Sequence, residues 1–348
     1  MELNIEEENL KLGSYDWKIN YGEEANKDLQ GYITPQYVKN NEKISIHAST
    51  NLDNCEFFIR IYRLGWYNGA GARQVHRSSV FSTKNQGVWT KEDGFENLNG
   101  ENNISEGMNW PIIFDFEIPT DWMPGIYIVK FITLSNKSYI HPFWICSENN
   151  NNLKIAVLSS FISNQAINWW GGENAKKTVT KNLNKFKNFS GAKKLSFNRP
   201  YYNSRGGDVL RWEYPLVKWL EREGVDFAFH TDLELNENNN LLENYSYVIT
   251  AGSMRYWTEE IEKGLQKVVN KGGNLVHLGS EAGQHIVALD GDDLDKKIIF
   301  QASKKNPEVG PRSENKFFST KSFVINNNPP WKNLTINSIT FPMLSVRR

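Results

Sequence analysis

Two rhythms of apolar and polar positions run along the chain. Over residues 43–49 apolar side chains fall on every second position, with Ile44, Ile46 and Ala48 on one face, the period of a half-buried strand. Residues 56–64 repeat it: Phe57, Ile59 and Ile61 face one way, and Phe58, Arg60 and Tyr62 the other. Residues 110–116, 125–133 and 138–146 read as three more strands, with Pro124-Gly125 turning the chain ahead of Ile126. Evenly spaced strands without a long helical stretch predict a β-sandwich of immunoglobulin-like type over residues 31–149. Residues 1–30 are polar without sustained periodicity and read as an arm lying against the body.

The polar run 147–152 cannot bury apolar area and predicts a domain boundary. Beyond it strand and helix alternate. Residues 154–158 are nearly all apolar, as in a strand covered on both faces. A helix is predicted over 210–223, with Leu216, Trp219 and Leu220 at helical spacing and Gly224 as its C-cap. Strands follow at 226–230 and 245–250. Thr258 then N-caps a helix whose first turn carries Glu259 and Glu260. Gly272-Gly273 closes it, and 274–278 is the next strand. This order predicts an α/β domain over 153–290 with a mostly parallel sheet. Residues 291–348, rich in lysine and asparagine, read as an irregular or β-rich tail.

Charge changes the picture by exclusion. Forty basic and 40 acidic residues balance, leaving no global attraction to nucleic acid or an anionic membrane. The longest apolar runs are strand-length, and the first eight residues are acidic where a signal peptide is basic and then apolar. A cytoplasmic location and a small-molecule ligand or substrate are therefore expected. The two cysteines, Cys55 and Cys146, have no metal-site spacing and are expected to be free and buried. Twelve tryptophans are more than composition alone can place; the Trp169-Trp170 pair reads as core before it reads as a stacking platform.

The most distinctive stretch is residues 61–73, Ile-Tyr-Arg-Leu-Gly-Trp-Tyr-Asn-Gly-Ala-Gly-Ala-Arg. Three glycines permit tight geometry, and Arg63 and Arg73 converge with three aromatics. The plainer reading is a structured hairpin whose arginines stack on rings or bond carbonyls; the functional one is a loop reaching a neighbouring site to hold a ligand. This stretch resembles the signature of the N,N-dimethylformamidase large-subunit family. Collinear likenesses follow at Ser196–Tyr201 (Ser-Phe-Asn-Arg-Pro-Tyr), 212–224, 231–233, Tyr256-Trp-Thr and Gly272-Gly-Asn-Leu, so the resemblance covers about residues 31–290.

The resemblance implies a sandwich packed on a domain like class I glutamine amidotransferases. It also implies hydrolysis of a small formamide at an iron held by two tyrosines and a glutamate, with the metal acting as Lewis acid, and a small partner subunit; a homo-oligomer is the other assembly expectation. At the implied ligand positions this chain carries Tyr201, which would remain a ligand, but also Ile167 and Arg255. An alkyl group cannot ligate, and a guanidinium has no acceptor and repels a cation. The family's iron site is therefore expected to be degraded.

Other chemistry then has to be weighed. Ser253 is placed by its neighbours at a strand-to-helix turn, with His285 the better-positioned base and His277 read as core. Glu213 and Asp232 are carboxylate candidates for catalysis, their plainer roles being helix capping and a turn. Arg199, Arg255 and Trp257 are candidate ligand-binding residues, Arg255 in particular for a carboxylate or phosphate. Three readings stay open: a hydrolase of a non-peptide carbon–nitrogen bond, a non-catalytic binding relative, and an enzyme of different chemistry using Arg255 to hold an anion.

Overall fold

A computed structural model describes residues 4–90, 94–96, 104–148, 152–176, 191–202, 205–292, 297–300 and 310–311. Most of the regular structure among the described residues is β-sheet, in several sheets with a few helices between them. The predicted tail and the centre of the 147–152 run fall largely outside the described residues.

The period-two segments form two antiparallel sheets. One orders Gln30–Thr34, Lys43–Ser49 and Ile112–Glu117. The other is built on Cys55–Leu64, Gly125–Thr133 and Ser138–Ile145, with Ala72–Arg77 on its edge. Between them lies a sandwich-like core to which the first sheet gives Ile33, Ile44, Ile46 and Ala48 and the second Phe57, Ile59, Ile61, Val129 and Phe131. Gly125–Thr133 and Ser138–Ile145 are buried at every position. The reason is that the second sheet's other face, with Tyr62, Leu64, Ile126, Ile128, Ile140 and Trp144, packs into the core of the α/β half. Burial on both faces erases the alternation that water on one face would impose.

In that half, Ile155–Ser159 lies between Ala228–Thr231 and Tyr247–Trp257, followed by Asn274–Ile286, all parallel. Gly310–Pro311 pairs antiparallel at the far edge. Three differences from the pattern reading concern the site. A helix, Phe161–Ile167, follows the first parallel strand directly. The predicted 210–223 helix divides into a π-helical turn, Val209–Glu213, and an α-helix, Tyr214–Arg222. Pro215 cannot donate to the carbonyl four residues back, which breaks the α ladder there. This helix buries Leu216, Val217 and Leu220 and leaves Trp219 38% exposed, so its apolar stripe runs beside the tryptophan. Tyr247–Trp257 and Asn274–Ile286 also outrun their predicted ends, because Gly252 at φ +82° bulges the strand without ending it and pairing resumes at Met254–Ala282.

The arm begins with a short helix, Ile5–Asn9, capped by Asn4, which ties the 61–73 loop to the Tyr214–Arg222 helix. Asn9 donates to the Glu221 carbonyl and accepts from Tyr67 N. Beside it runs a chain of buried charge. Arg63 pairs with Glu221 at 2.7 Å, both side chains fully buried, and donates to Tyr67 Oη at 3.0 Å. Glu221 also accepts from Trp66 N, while Glu8 accepts from Tyr67 Oη and pairs with Arg73 at 2.7 Å. Gly65 is required here, since a Cβ would strike the Glu221 carboxylate. Arg63 and Arg73, candidates for ligand binding, are thus each tied to a protein carboxylate at a seam between the two halves, Arg63 also bonding the Tyr67 hydroxyl and the Pro124 carbonyl. Cys55 and Cys146 are free and buried. Among the described residues no helix is long and apolar enough to cross a membrane.

Candidate functional site

The parallel strands end against a buried polar layer. Glu213, the last residue of the π turn, makes no side-chain cap bond on its own helix, where the sequence suggested one. Its carboxylate accepts from Ser159 Oγ, from Ser160 N at 3.1 Å and from Asn164 Nδ2 at 2.6 Å. Asp232 opens the helix Asp232–Glu237, whose cap is Thr231, and its own carboxylate accepts from Ile162 N at 3.1 Å. Two carboxylates from distant parts of the chain therefore satisfy orphan amides at the start of the Phe161–Ile167 helix. Both are fully buried, and no salt bridge reaches either among the described residues. Burial lifts Glu213 to about 7 against the pull of its three donors. Burial, reinforced by the nearby Glu213, also raises Asp232 well above the usual carboxylate range.

Over this layer opens a cavity of about 420 Å³. Asn164 and Ile167 line it from the 161–167 helix, Tyr201 from the Arg-Pro-Tyr segment, and Asp208 and Arg211 from the π turn. Tyr201 is held firmly: its hydroxyl accepts from Gln165 Nε2 at 3.1 Å, its carbonyl accepts from Tyr139 Oη, and His141 packs edge-on at 5.1 Å. Gln165 Nε2 also donates to Gln36 of the sandwich half at 2.6 Å. Burial keeps the phenol strongly protonated. Trp169 lines the cavity while Trp170 is core, so the pair divides between the two roles weighed for it.

The remaining candidates lie elsewhere. Arg199 is fully buried, and its guanidinium donates to the carbonyls of Gln165, Asn168, Trp170 and Ser196. It is a clamp on the chain leaving the 161–167 helix, and burial pushes it down to about 10 against the opposing pull of Tyr201 and Glu173. Arg255 pairs with Glu281 at 2.8 Å and does not line the cavity. Trp257 is buried against Gly283. Ser253 sits inside the Tyr247–Trp257 strand, at the bulge, rather than at a helix N-terminus. His285 pairs in register with Tyr256 and rests on its ring at 5.5 Å. Ser253 Oγ and His285 Nε2 are each without a hydrogen-bond partner among the described residues, so the two do not form a nucleophile–base pair. His277 bonds Thr250 Oγ1 at 2.7 Å and is lowered to about 4 by burial, as a core histidine is.

Sequence reasoning placed Tyr201 and Ile167 in the site but passed over Asn164, Asp208 and Arg211. Asp208 makes no side-chain cap bond.

The family described as N,N-dimethylformamidase beta subunit-like, C-terminal, matches residues 58–335. The chain belongs to this family. The match takes in the 61–73 loop, the cavity and both buried carboxylates. No curated protein matches. Among solved structures, the chain is similar to a Paenibacillus sp. cycloisomaltooligosaccharide glucanotransferase complexed with cycloisomaltoheptaose, at 9% identity and a TM-score of 0.23. The alignment covers 79% of this chain and 34% of that one, about a third of its length; a likeness so weak says nothing of this chain's fold or ligand. Among the described residues no three His, Cys, Asp or Glu side chains cluster as metal ligands.

Proposed function

We propose that this chain is a divergent dimethylformamidase-like protein whose Tyr201 cavity takes a small molecule bearing a non-peptide amide, and that it does so without the family's iron. The observation that carries this reading is the make-up of one cavity. Ile167 and Tyr201, two positions at which the family resemblance implies tyrosine ligands, line the same space, so the pocket is kept. The donors are not: one position offers a phenol, the next an alkyl group, and Arg255 at the third is a cation tied to Glu281 away from the cavity. This set does not fit a hard cation. A hydroxyl and an asparagine side chain on the wall suit the acceptor and donor of an amide.

The reading leaves the chain's own residues a defined part. Tyr201, oriented by Gln165, is the donor to a ligand carbonyl, and Asn164, oriented by Glu213, is the second polar contact. A second reading, hydrolysis of the bound carbon–nitrogen bond, draws on Glu213: a carboxyl lifted to about 7 one hydrogen bond behind Asn164 has the pKa of a general base at neutral pH. An immunoglobulin-like sandwich, an amidotransferase-like α/β half and a small partner subunit belong to the same proposal, supported by the family and by its subunit name; a cytoplasmic setting is part of the proposal on the sequence reading alone.

The test is propanamide titrated into the purified, tag-free protein by calorimetry, with metal content by mass spectrometry and amine or ammonia release followed on formamide and dimethylformamide. Saturable binding without stoichiometric iron is expected. Stoichiometric iron with a tyrosinate charge-transfer band would overturn the ligand-loss argument, and the double variant Ile167→Tyr, Arg255→Glu should gain iron affinity over wild type. Turnover would select the second reading.

A further inference from the structure

Two side chains of opposite charge stand on the cavity wall without an ion-pair partner among the described residues. Asp208 and Arg211 are three residues apart at the π turn, and both line the cavity. The Asp208 carboxylate makes no cap bond, and the structure gives it no ion pair among the described residues. The Arg211 guanidinium is drawn over the face of Trp212, 4.8 Å from the ring centroid, instead of onto Asp208. The neighbouring wall cation, Arg205, is by contrast engaged, by Glu24 and by the Ile19 carbonyl. Arg211 N and Trp212 N both bond the Asp208 carbonyl, so the turn is closed through the backbone while the Asp208 carboxylate is left out of it. The wall therefore offers one anion-binding and one cation-binding group beside the amide-reading pair, Asn164 and Tyr201.

We infer that the cavity selects a zwitterionic amide, a small molecule carrying an ammonium and a carboxylate as well as its amide group, with Arg211 holding the carboxylate and Asp208 the ammonium. This rests on the amide-binding reading of the same cavity and narrows it to an amino-acid-type ligand. A neutral formamide would leave both charges idle. A ligand with only one charge would meet one attractive and one repulsive group on the wall, so the arrangement discriminates against it as well as favouring the zwitterion. The cavity's size is ample for a ligand with the heavy atoms of asparagine.

The experiment is a set of four titrations at low ionic strength: L-asparagine with both charges, succinamate with the carboxylate alone, β-alaninamide with the ammonium alone, and propanamide with neither. L-asparagine is expected to bind about tenfold more tightly than propanamide, a size fitting partly exposed charge-assisted pairs, with the difference shrinking as salt is added. Arg211→Gln should bring L-asparagine down to the level of β-alaninamide, and Asp208→Asn down to that of succinamate. Both residues are outside the core, so folding is checked simply by an unshifted melting temperature. Propanamide binding with no gain for L-asparagine would overturn the zwitterion and leave the amide pocket standing. A preference for L-asparagine that survives both substitutions would overturn the assignment to Arg211 and Asp208. No binding of any of the four would remove the pocket reading and this inference with it.

Discussion

The molecule buries charge in two places and in two ways. At the seam between its halves, Arg63 meets Glu221 and Arg73 meets Glu8, with Tyr67 bonded to both systems. Beneath the cavity, Glu213 and Asp232 are buried without a cation, held only by hydroxyl, amide and backbone donors. In the first arrangement each carboxylate faces a guanidinium. The second carries two carboxyl groups whose ionisation burial opposes. Charge at the seam joins the parts of the fold; charge under the cavity sits where a ligand's chemistry can use it.

The largest effect expected from breaking this comparison is at the seam. Glu221→Ala leaves the Arg63 guanidinium buried without its carboxylate and should lower stability by about 3–5 kcal/mol, read from denaturant unfolding. Arg63→Met combined with Glu221→Leu removes both charges and should recover most of that loss. If the single and double variants are equally damaged, packing and not charge holds the seam.

The carboxyl layer gives the next effect, and its mark is a pH slope. Between Glu213's ordinary value of 4.5 and its folded value of about 7, the folded chain holds a proton that the unfolded chain has released. The stability this contributes is fully present below 4.5 and is lost as pH rises through 7, on the order of 3 kcal/mol in all. Asp232 is shifted in the same direction and adds to the slope. Glu213→Gln should flatten the profile in that window. A slope unchanged by Glu213→Gln would mean that the carboxyl is ionised in the fold at low pH and that its three donors outweigh burial.

Arg73→Gln should cost less than Glu221→Ala, about 1–2 kcal/mol, because Arg73 is 18% exposed and Lys11 remains on Glu8. The smallest effect is expected at Glu281→Gln. This frees the half-exposed Arg255 and should change stability by less than about 1 kcal/mol.

How much of this the sequence disclosed depended on whether the signal was local. Period-two alternation found Lys43–Ser49 and the Pro124-Gly125 turn found Gly125–Thr133, both with their ends in place, and Thr258 found the helix Glu259–Asn270. Gly252 looked like punctuation and was a bulge, so Ser253 was put at a helix N-terminus it does not occupy. Phe161–Ile167 was missed because seven residues buried nearly all round show no stripe. Glu213 and Asp232 were noticed as carboxylates, but their plainer roles were assigned to their own helices. Their partners, Ser159 to Asn164, lie about 50 to 70 residues away and no local pattern joins them. No local pattern marks Asp208 and Arg211, and only the cavity wall sets them apart.

The most direct test of the central claim, that the Tyr201 cavity binds a small amide, is to fill it. Ile167→Trp puts an indole on the wall of the cavity that Asn164 and Tyr201 also line. Calorimetric titration with propanamide should show saturable binding to wild type and none to the variant, with melting temperature and far-ultraviolet circular dichroism close to wild type. Equal binding to both proteins would contradict the account and put the ligand elsewhere.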